Sequence, residues 1–241
     1  INNFHNWCNQ NELAVNTDKC AVIRFSRKKS LDSPRYYMGD NQLKEVRMVK
    51  DLGIDLTYNM SFDEHINKIT SNALRILGFI KRFSKDFRHK NVLKVLYCSL
   101  VRPHLEYCSI IWSPYSAEGI KRIESVQRKF TKFACRSIVP QRDLNYQQRC
   151  DYLGLQTLES RRIVAGQMFV AGIMNCPSLL QKLDFCIPER RGRSSLLLHE
   201  TFHKTLYGRN NPLSRIIRDF NIVRDKFDFN LTKERFKIEL I

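Results

Sequence analysis

The 241 residues carry 41 Lys and Arg against 24 Asp and Glu, a formal charge of +17, and 43% are apolar. That apolar share excludes global disorder and supplies a sizeable core. The one-signed charge calls for an anionic partner, and nucleic acid is favoured over an anionic membrane because no segment is built for lipid. The run IVAGQMFVAGIM, residues 163–174, is too short to span a bilayer. The N-terminus has no basic-then-apolar signal layout, and its first residue, Ile1, suggests a fragment.

Taken in chain order, Phe4, Trp7, Leu13 and Val15 read as the end of a helix. Asn16, Thr17 and Asp18 are turn formers, and CAVIRF after them is a short strand run. YYMGDNQL and EVRMVKDLGIDL, rich in β formers and broken by Gly-Asp-Asn, predict a hairpin or two short strands.

From Asn59 the pattern turns helical. Ser61 and Glu64 have capping-box spacing, and Ile66, Ile69, Ala73, Ile76, Leu77, Ile80 and Phe83 form an amphipathic stripe, with Lys68, Arg75 and Lys81 off it. A second helix is expected over about Asn91–Val101, with Leu93, Leu96, Tyr97 and Leu100 inward. Pro103 disfavours helix at Arg102. A third starts near Ala117, with Ile120, Ile123, Val126, Phe130, Phe133 and Ala134 on one side. Its other side carries Lys121, Arg122, Arg128, Lys129, Lys132 and Arg136, six cations within sixteen residues. Such a face is either an ordinary solvated surface or a phosphate-neutralising one. The chain-wide excess favours the second, with little base preference and strong salt dependence.

Helical patterns follow over 143–154, Thr157–Asn175 and 213–220, with another near the end; 186–195 is a basic linker by composition. The fold class expected is α+β, mainly α: a small β-hairpin region over 1–58, a helical bundle over 59–140 and a helical C-terminal extension over 141–241.

Chemical signatures are sparse. The eight cysteines are dispersed with no CxxC and read as buried thiols. Cys176, Cys186, His199 and His203 have the wrong spacing for a zinc site. No adjacent Asp-Asp pair and no Gly-rich phosphate loop occurs; Asp51 and Asp55 flank a glycine in a way that turn chemistry explains equally well.

Three long stretches together resemble one family. NELAVNTDKCAVIRFSRK, VKDLGIDLTYNMSFDEHINKITSNALRILGFIKR and LYCSLVRPHLEYCSIIWSPYSAEGIKRIESVQRKFTKF are similar to the C-terminal part of LINE-class (non-LTR) retrotransposon reverse transcriptases of the jockey-like kind. The resemblance is strongest over residues 10–165, and LYGRNNPLSRIIRDFN is similar to the tail of such reading frames. It implies the last edge of a polymerase palm over 1–58, a thumb over 59–140 and a tail beyond. The magnesium-binding aspartates belong to a hairpin expected upstream of Phe4. No cofactor is therefore expected on this fragment, Mg2+ is expected for the full-length parent, and primer extension is not expected from the fragment alone.

By the same resemblance, Lys19 matches a late-palm lysine beside the leaving pyrophosphate, and Leu52, Gly53 and Ile54 match the primer-grip turn. The implied partners are an RNA-template and DNA-primer duplex and the remainder of the reverse transcriptase, in an intracellular setting, cytoplasm or nucleus, without a membrane. The alternative is a stand-alone, nonspecific nucleic-acid-binding or interaction module without polymerase activity. Within LVRPHLEYCSIIW, Arg102 and Glu106 stand four apart. They are expected to pair structurally across a kink at Pro103, with Arg102 on a phosphate as the functional alternative.

Overall fold

A computed structural model describes residues 1–27, 34–87, 89–140, 143–174, 176–183 and 198–222. The described chain is α+β and mainly helical, as expected, and divides into two units, Ile1–Asn67 and Lys68–Ile241. The basic segment 186–195 and the last expected helix lie outside the described residues.

The first unit opens with α1 (Asn2–Gln10) and a single helical turn over Thr17–Lys19, capped by the Asn16 side chain. Only two residues of the CAVIRF run pair: β1 (Ala21–Val22) lies parallel to β4 (Lys44–Glu45). The Arg24 guanidinium meets Glu45 at 2.7 Å beside that pairing. Two hairpins complete the strands. β2 (Tyr37–Met38) and β3 (Asn41–Gln42) turn about Gly39-Asp40. β5 (Met48–Asp51) and β6 (Ile54–Thr57) turn about Leu52-Gly53, with φ of 44° and 89°. Two positive φ values match the right-handed twist of the strands, and the glycine supplies one without a Cβ penalty. Asp51 faces solvent, whereas Asp55 is buried, its carboxylate 3.5 Å from His65 Nδ1. The two aspartates therefore do not form a carboxylate pair.

The helix α2 (Asp63–Phe83) starts in the first unit and continues into the second. Its first turn departs from the expected capping box: the Ser61 hydroxyl donates to Asp63 at 2.6 Å and accepts the Asp63 N–H, without a Glu64 contact. Ala73, Leu77 and Ile80 are buried as the stripe requires, but Phe83 is 69% exposed, and its ring pairs with that of the less exposed but also outward Phe79 at 4.4 Å.

The second unit is a helical bundle. After α3 (Lys90–Leu96) the chain does not stop at Arg102. It passes through a wide π-turn, Tyr97–Val101, in which the Arg102 N–H bonds to the Tyr97 carbonyl, and continues as α4 (Arg102–Glu106). Proline lacks an N–H and its ring crowds the carbonyl four residues back; the extra residue in the turn makes room for it. The wide turn also moves the buried face. Leu93, Tyr97, Val101 and Leu105 are all fully buried at steps of four, whereas Leu100, expected inside, is 42% exposed. Cys108, at φ 51°, then starts α5 (Ser109–Trp112), and the buried Trp112 indole donates to the Tyr107 carbonyl at 2.7 Å.

α6 (Ala117–Ile138) begins at Ser116, whose hydroxyl accepts the Gly119 N–H. A reciprocal capping box forms at α7 (Tyr146–Leu153), between Asn145 and Gln148. α8 (Leu158–Met174), α9 (Pro177–Lys182), α10 (Leu206–Arg209) and α11 (Pro212–Ile222) follow. α8 and α11 share a core of Val170, Ile173, Leu198, Ile216 and Phe220. Gly166 allows their close crossing, since a Cβ there would stand 3.0 Å from the Ile216 side chain. Asn221 clamps Leu198 through both backbone groups, at 3.1 and 3.0 Å.

The Arg102–Glu106 pair exists, at 3.7 Å, but it is the weaker bond at that carboxylate. Glu106 is gripped from both oxygens by the Arg161 guanidinium of α8, including a 3.0 Å bond from Nη2. A partner 55 residues away, invisible to local spacing, therefore neutralises it. Replacing Glu106 with Ala should cost about 1–3 kcal/mol by leaving a partly buried guanidinium unmatched. Chemical denaturation measures this, and a midpoint equal to the parent's would show the pair to be dispensable.

Candidate nucleic-acid interface

The orientation of α6 decides what its cations do. On the inner side Ile123, Val126, Phe130 and Ala134 are fully buried. Beside them sits a buried polar knot. Gln127, fully enclosed, accepts from the Tyr97 hydroxyl at 3.0 Å and donates to the Gln156 carbonyl at 2.9 Å and the Tyr146 hydroxyl at 3.0 Å. Glu124 accepts from the Tyr146 hydroxyl and from the Leu158 N–H at 3.2 Å. Burial, then the Glu124 carboxylate, pushes the Tyr146 hydroxyl far above its ordinary range, so it remains a donor at any physiological pH. Tyr97, stacked on Phe130 with ring centroids 4.2 Å apart, is raised by burial and by Glu124 likewise.

With that side fixed, Lys121, Arg128, Lys132 and Arg136 fall at steps of seven, four and four on the outer face and are exposed, as is Lys129 beside them. The six cations expected to form one group divide by partner. Arg122 is half-buried and bonds Glu118 at 2.5 Å, so part of its charge is already matched. Arg128 stacks its guanidinium over the Tyr146 ring at 4.1 Å, which holds it in place while leaving it exposed. Lys121, Lys132 and Arg136 have no ion-pair partner among the described residues.

The α2 cations divide too. Lys68 and Arg75, seven apart, share an exposed face, while Lys81 turns to a flank and reaches over the Phe133 ring of α6, 5.7 Å from its centroid. Burial first, and then the Lys129 charge, lowers the Lys81 pKa, which places the two ammonium groups within electrostatic reach. Arg82, seven residues beyond Arg75 and exposed, joins the α2 face along with Phe79 and Phe83. The sequence reading missed Arg82, although its i+7 spacing from Arg75 would have found it.

The other candidates belong to the first unit. Lys19 is exposed on the single turn before β1, its backbone N–H held by Asn16. Leu52, 82% exposed, and Gly53 make the hairpin tip, whereas Ile54 is buried. No metal-binding group of His, Cys, Asp or Glu occurs among the described residues. His203 bonds Ser214 at 2.9 Å, and Cys186 lies outside the described residues. Cys8, Cys135 and Cys150 are buried, as expected of apolar thiols, but Cys108 is exposed. No helix among the described residues is long and apolar enough to cross a membrane.

Comparison with protein-family models, with curated proteins and with solved structures finds no match to this chain.

The Lys81–Lys129 juxtaposition has a testable sign. Lys81 has a folded-state pKa below its ordinary 10.5, so its charged form costs stability. That cost is relieved as pH rises from the depressed value through 10.5. Changing Lys129 to Gln should move the Lys81 pKa upward in a 13Cε NMR titration. An unchanged midpoint would place the two charges too far apart to interact.

Proposed function

We propose that this chain holds the sugar–phosphate backbone of nucleic acid on the exposed cationic face of α6 and the adjoining flank of α2. We place that activity within an RNA-directed DNA polymerase of the LINE-class, jockey-like kind, where these helices would serve as the thumb on a template–primer duplex. The observation that carries the reading is the cationic face of α6. Lys121, Lys132 and Arg136 are exposed and unmatched by carboxylates among the described residues, opposite the fully buried Ile123, Val126, Phe130 and Ala134. Like charges gathered on one rigid face raise the local potential, and binding a polyanion relieves it. The long stretches of family resemblance support the polymerase setting, as does the hairpin tip at Leu52-Gly53, where a bare backbone permits close approach to a primer strand.

A polymerase that must hold any sequence reads duplex shape and backbone, and lysine and arginine side chains aimed at solvent are suited to that. The paired aspartates that carry magnesium in such enzymes have no counterpart in the sequence, so the reading is of gripping and not of phosphoryl transfer. Lys19 keeps its proposed place beside the leaving pyrophosphate, and the expected Mg2+ remains with the full-length parent.

Fluorescence anisotropy with a labelled RNA–DNA hybrid across a salt series tests this. Affinity should fall steeply and linearly on logarithmic axes, and the double change K132E/R136E should flatten the slope by about two, one for each phosphate no longer neutralised. Binding indifferent to salt, or to that double change, would sink the proposal. Because a phosphate beside Lys81 favours its charged form, binding at alkaline pH should take up protons, and so strengthen as pH is lowered from 10.5 through the depressed Lys81 value.

A further inference from the structure

The second unit holds another concentration of positive charge, away from the α6 face and absent from every sequence expectation. A cleft of about 170 Å3 opens between α5, α8 and α11, and three arginines line it: Arg162 from α8, Arg215 and Arg218 from α11. Its volume exceeds what one water needs and falls below that of a pocket for a drug-sized molecule. It therefore suits a single small group.

Arg162 is the unusual member. It is only 5% exposed, and its Nε and Nη1 atoms are buried without a hydrogen-bond partner. Burial lowers its pKa; the carboxylates of Glu124, Glu159 and Glu106 oppose that through space. None of them accepts a hydrogen bond from those two nitrogens. A buried guanidinium with unmatched donors is expensive for a fold to keep unless something else uses them. Its two neighbours are held as arms. Arg215 donates to the Ser113 and Ile110 carbonyls at 2.8 and 2.7 Å, and Arg218 to the Asn210 side chain at 3.2 Å. Burial brings the Arg215 pKa down to about 10; Asp219 works against this, and Arg162 and Arg218 add to it, so the three guanidinium groups feel one another. Against them the cleft wall offers two carboxylates, Glu159 and Asp219, which leaves one positive charge in excess.

We infer that this cleft is a phosphate-binding site that takes one phosphodiester group of a nucleic-acid strand, with Arg162 and Arg218 as its principal donors. Guanidinium suits the task because its planar fork matches two phosphate oxygens at once. The inference rests on the nucleic-acid reading above and extends it to a second point of attachment, on the α8–α11 pair. Inorganic phosphate shares the chemistry, and the test separates the two sources.

The full chain is unfolded thermally in inorganic phosphate and in chloride at matched ionic strength. Its affinity for a short labelled RNA is measured in parallel, for the parent, R162M and R218Q. Phosphate should raise the parent's Tm. R218Q, at the half-buried edge, should fold like the parent and lose that shift. R162M should keep or raise the Tm without phosphate, because an unmatched buried charge is gone, and should lose the shift too. Both variants should weaken RNA binding on the order of tenfold, the worth of one charge-assisted hydrogen bond, and lower the salt slope by about one.

A parent Tm identical in phosphate and chloride overturns the inference. So does an R162M that unfolds early while R218Q leaves both readouts intact, since Arg162 would then be an internal counter-charge to Glu124. Loss of the phosphate shift with RNA affinity unchanged assigns the cleft to the free anion and overturns the strand. K132E/R136E, run in the same series, keeps the two proposals apart. Weaker binding there alone rejects the cleft and leaves the α6 face standing. RNA binding without salt dependence in the parent rejects the α6 face, and the strand with it.

Discussion

The amide of Gln127 fixes the rest of the second unit. It is enclosed on all sides and satisfied at both ends, by a tyrosine on the π-turn, a tyrosine on α7 and a carbonyl ahead of α8. Hydrophobic burial alone is non-directional and would let α6 roll by a fraction of a turn among its apolar neighbours. Hydrogen bonds from a buried amide do not permit that roll, because each broken bond leaves an unsatisfied group in a low-dielectric interior. The rotation of α6 about its own axis is thus set from inside. The position of every cation on its outer side follows from that choice.

The outer side would otherwise resist its own assembly. Gathering like charges raises the free energy of the compact state. Lys81, whose ammonium lies over the Phe133 ring and whose pKa is lowered first by burial and then by the Lys129 charge, records part of that cost at one place. Arg128 avoids part of it by stacking on Tyr146, the same ring whose hydroxyl closes the polar knot. Inner satisfaction and outer presentation therefore meet in one side chain, Tyr146, and neither is independent of the other.

The helices were legible in the sequence wherever apolar residues recur at three and four. The basic side of α6, the turn at Gly39-Asp40, and the runs that became α7, α8 and α11 follow from local pattern, whereas the turn at Leu52-Gly53 follows from the family resemblance. What local pattern missed was decided by distant partners or by altered periodicity. Leu100 was misplaced because the π-turn advances the buried face by one residue. Phe83 lies outside because the covered face runs on through Ile80 and the buried Ser84, four residues apart, which turns Phe83 to the Phe79 side. Ser61 bonds Asp63 and not Glu64, while the reciprocal cap belongs to Asn145, a residue type the S-x-x-E search passes over. Arg162 stands inside an apolar helix beside another arginine, Arg161, and spacing cannot tell which of the two meets a carboxylate from another helix. Tertiary packing gives Glu106 to Arg161 and leaves Arg162 unbonded at Nε and Nη1.

The widened turn at Tyr97–Val101 has a consequence for how this segment tolerates change in length. A helix that already holds a surplus residue is an insertion frozen into the fold, with Pro103 seated in the slack. Removing one residue there would draw the turn back to ordinary pitch and drive the proline ring into the carbonyl above it. Leu105 would keep its bearing, because the turn itself absorbs the lost residue, and the cost would fall on the proline. Adding one residue, with the slack already used, would instead swing Leu105 and everything after it by about 100° around the axis. The segment is therefore a one-way ratchet: a lost residue is felt at Pro103, whereas a gained one is felt as far away as the Arg161 guanidinium.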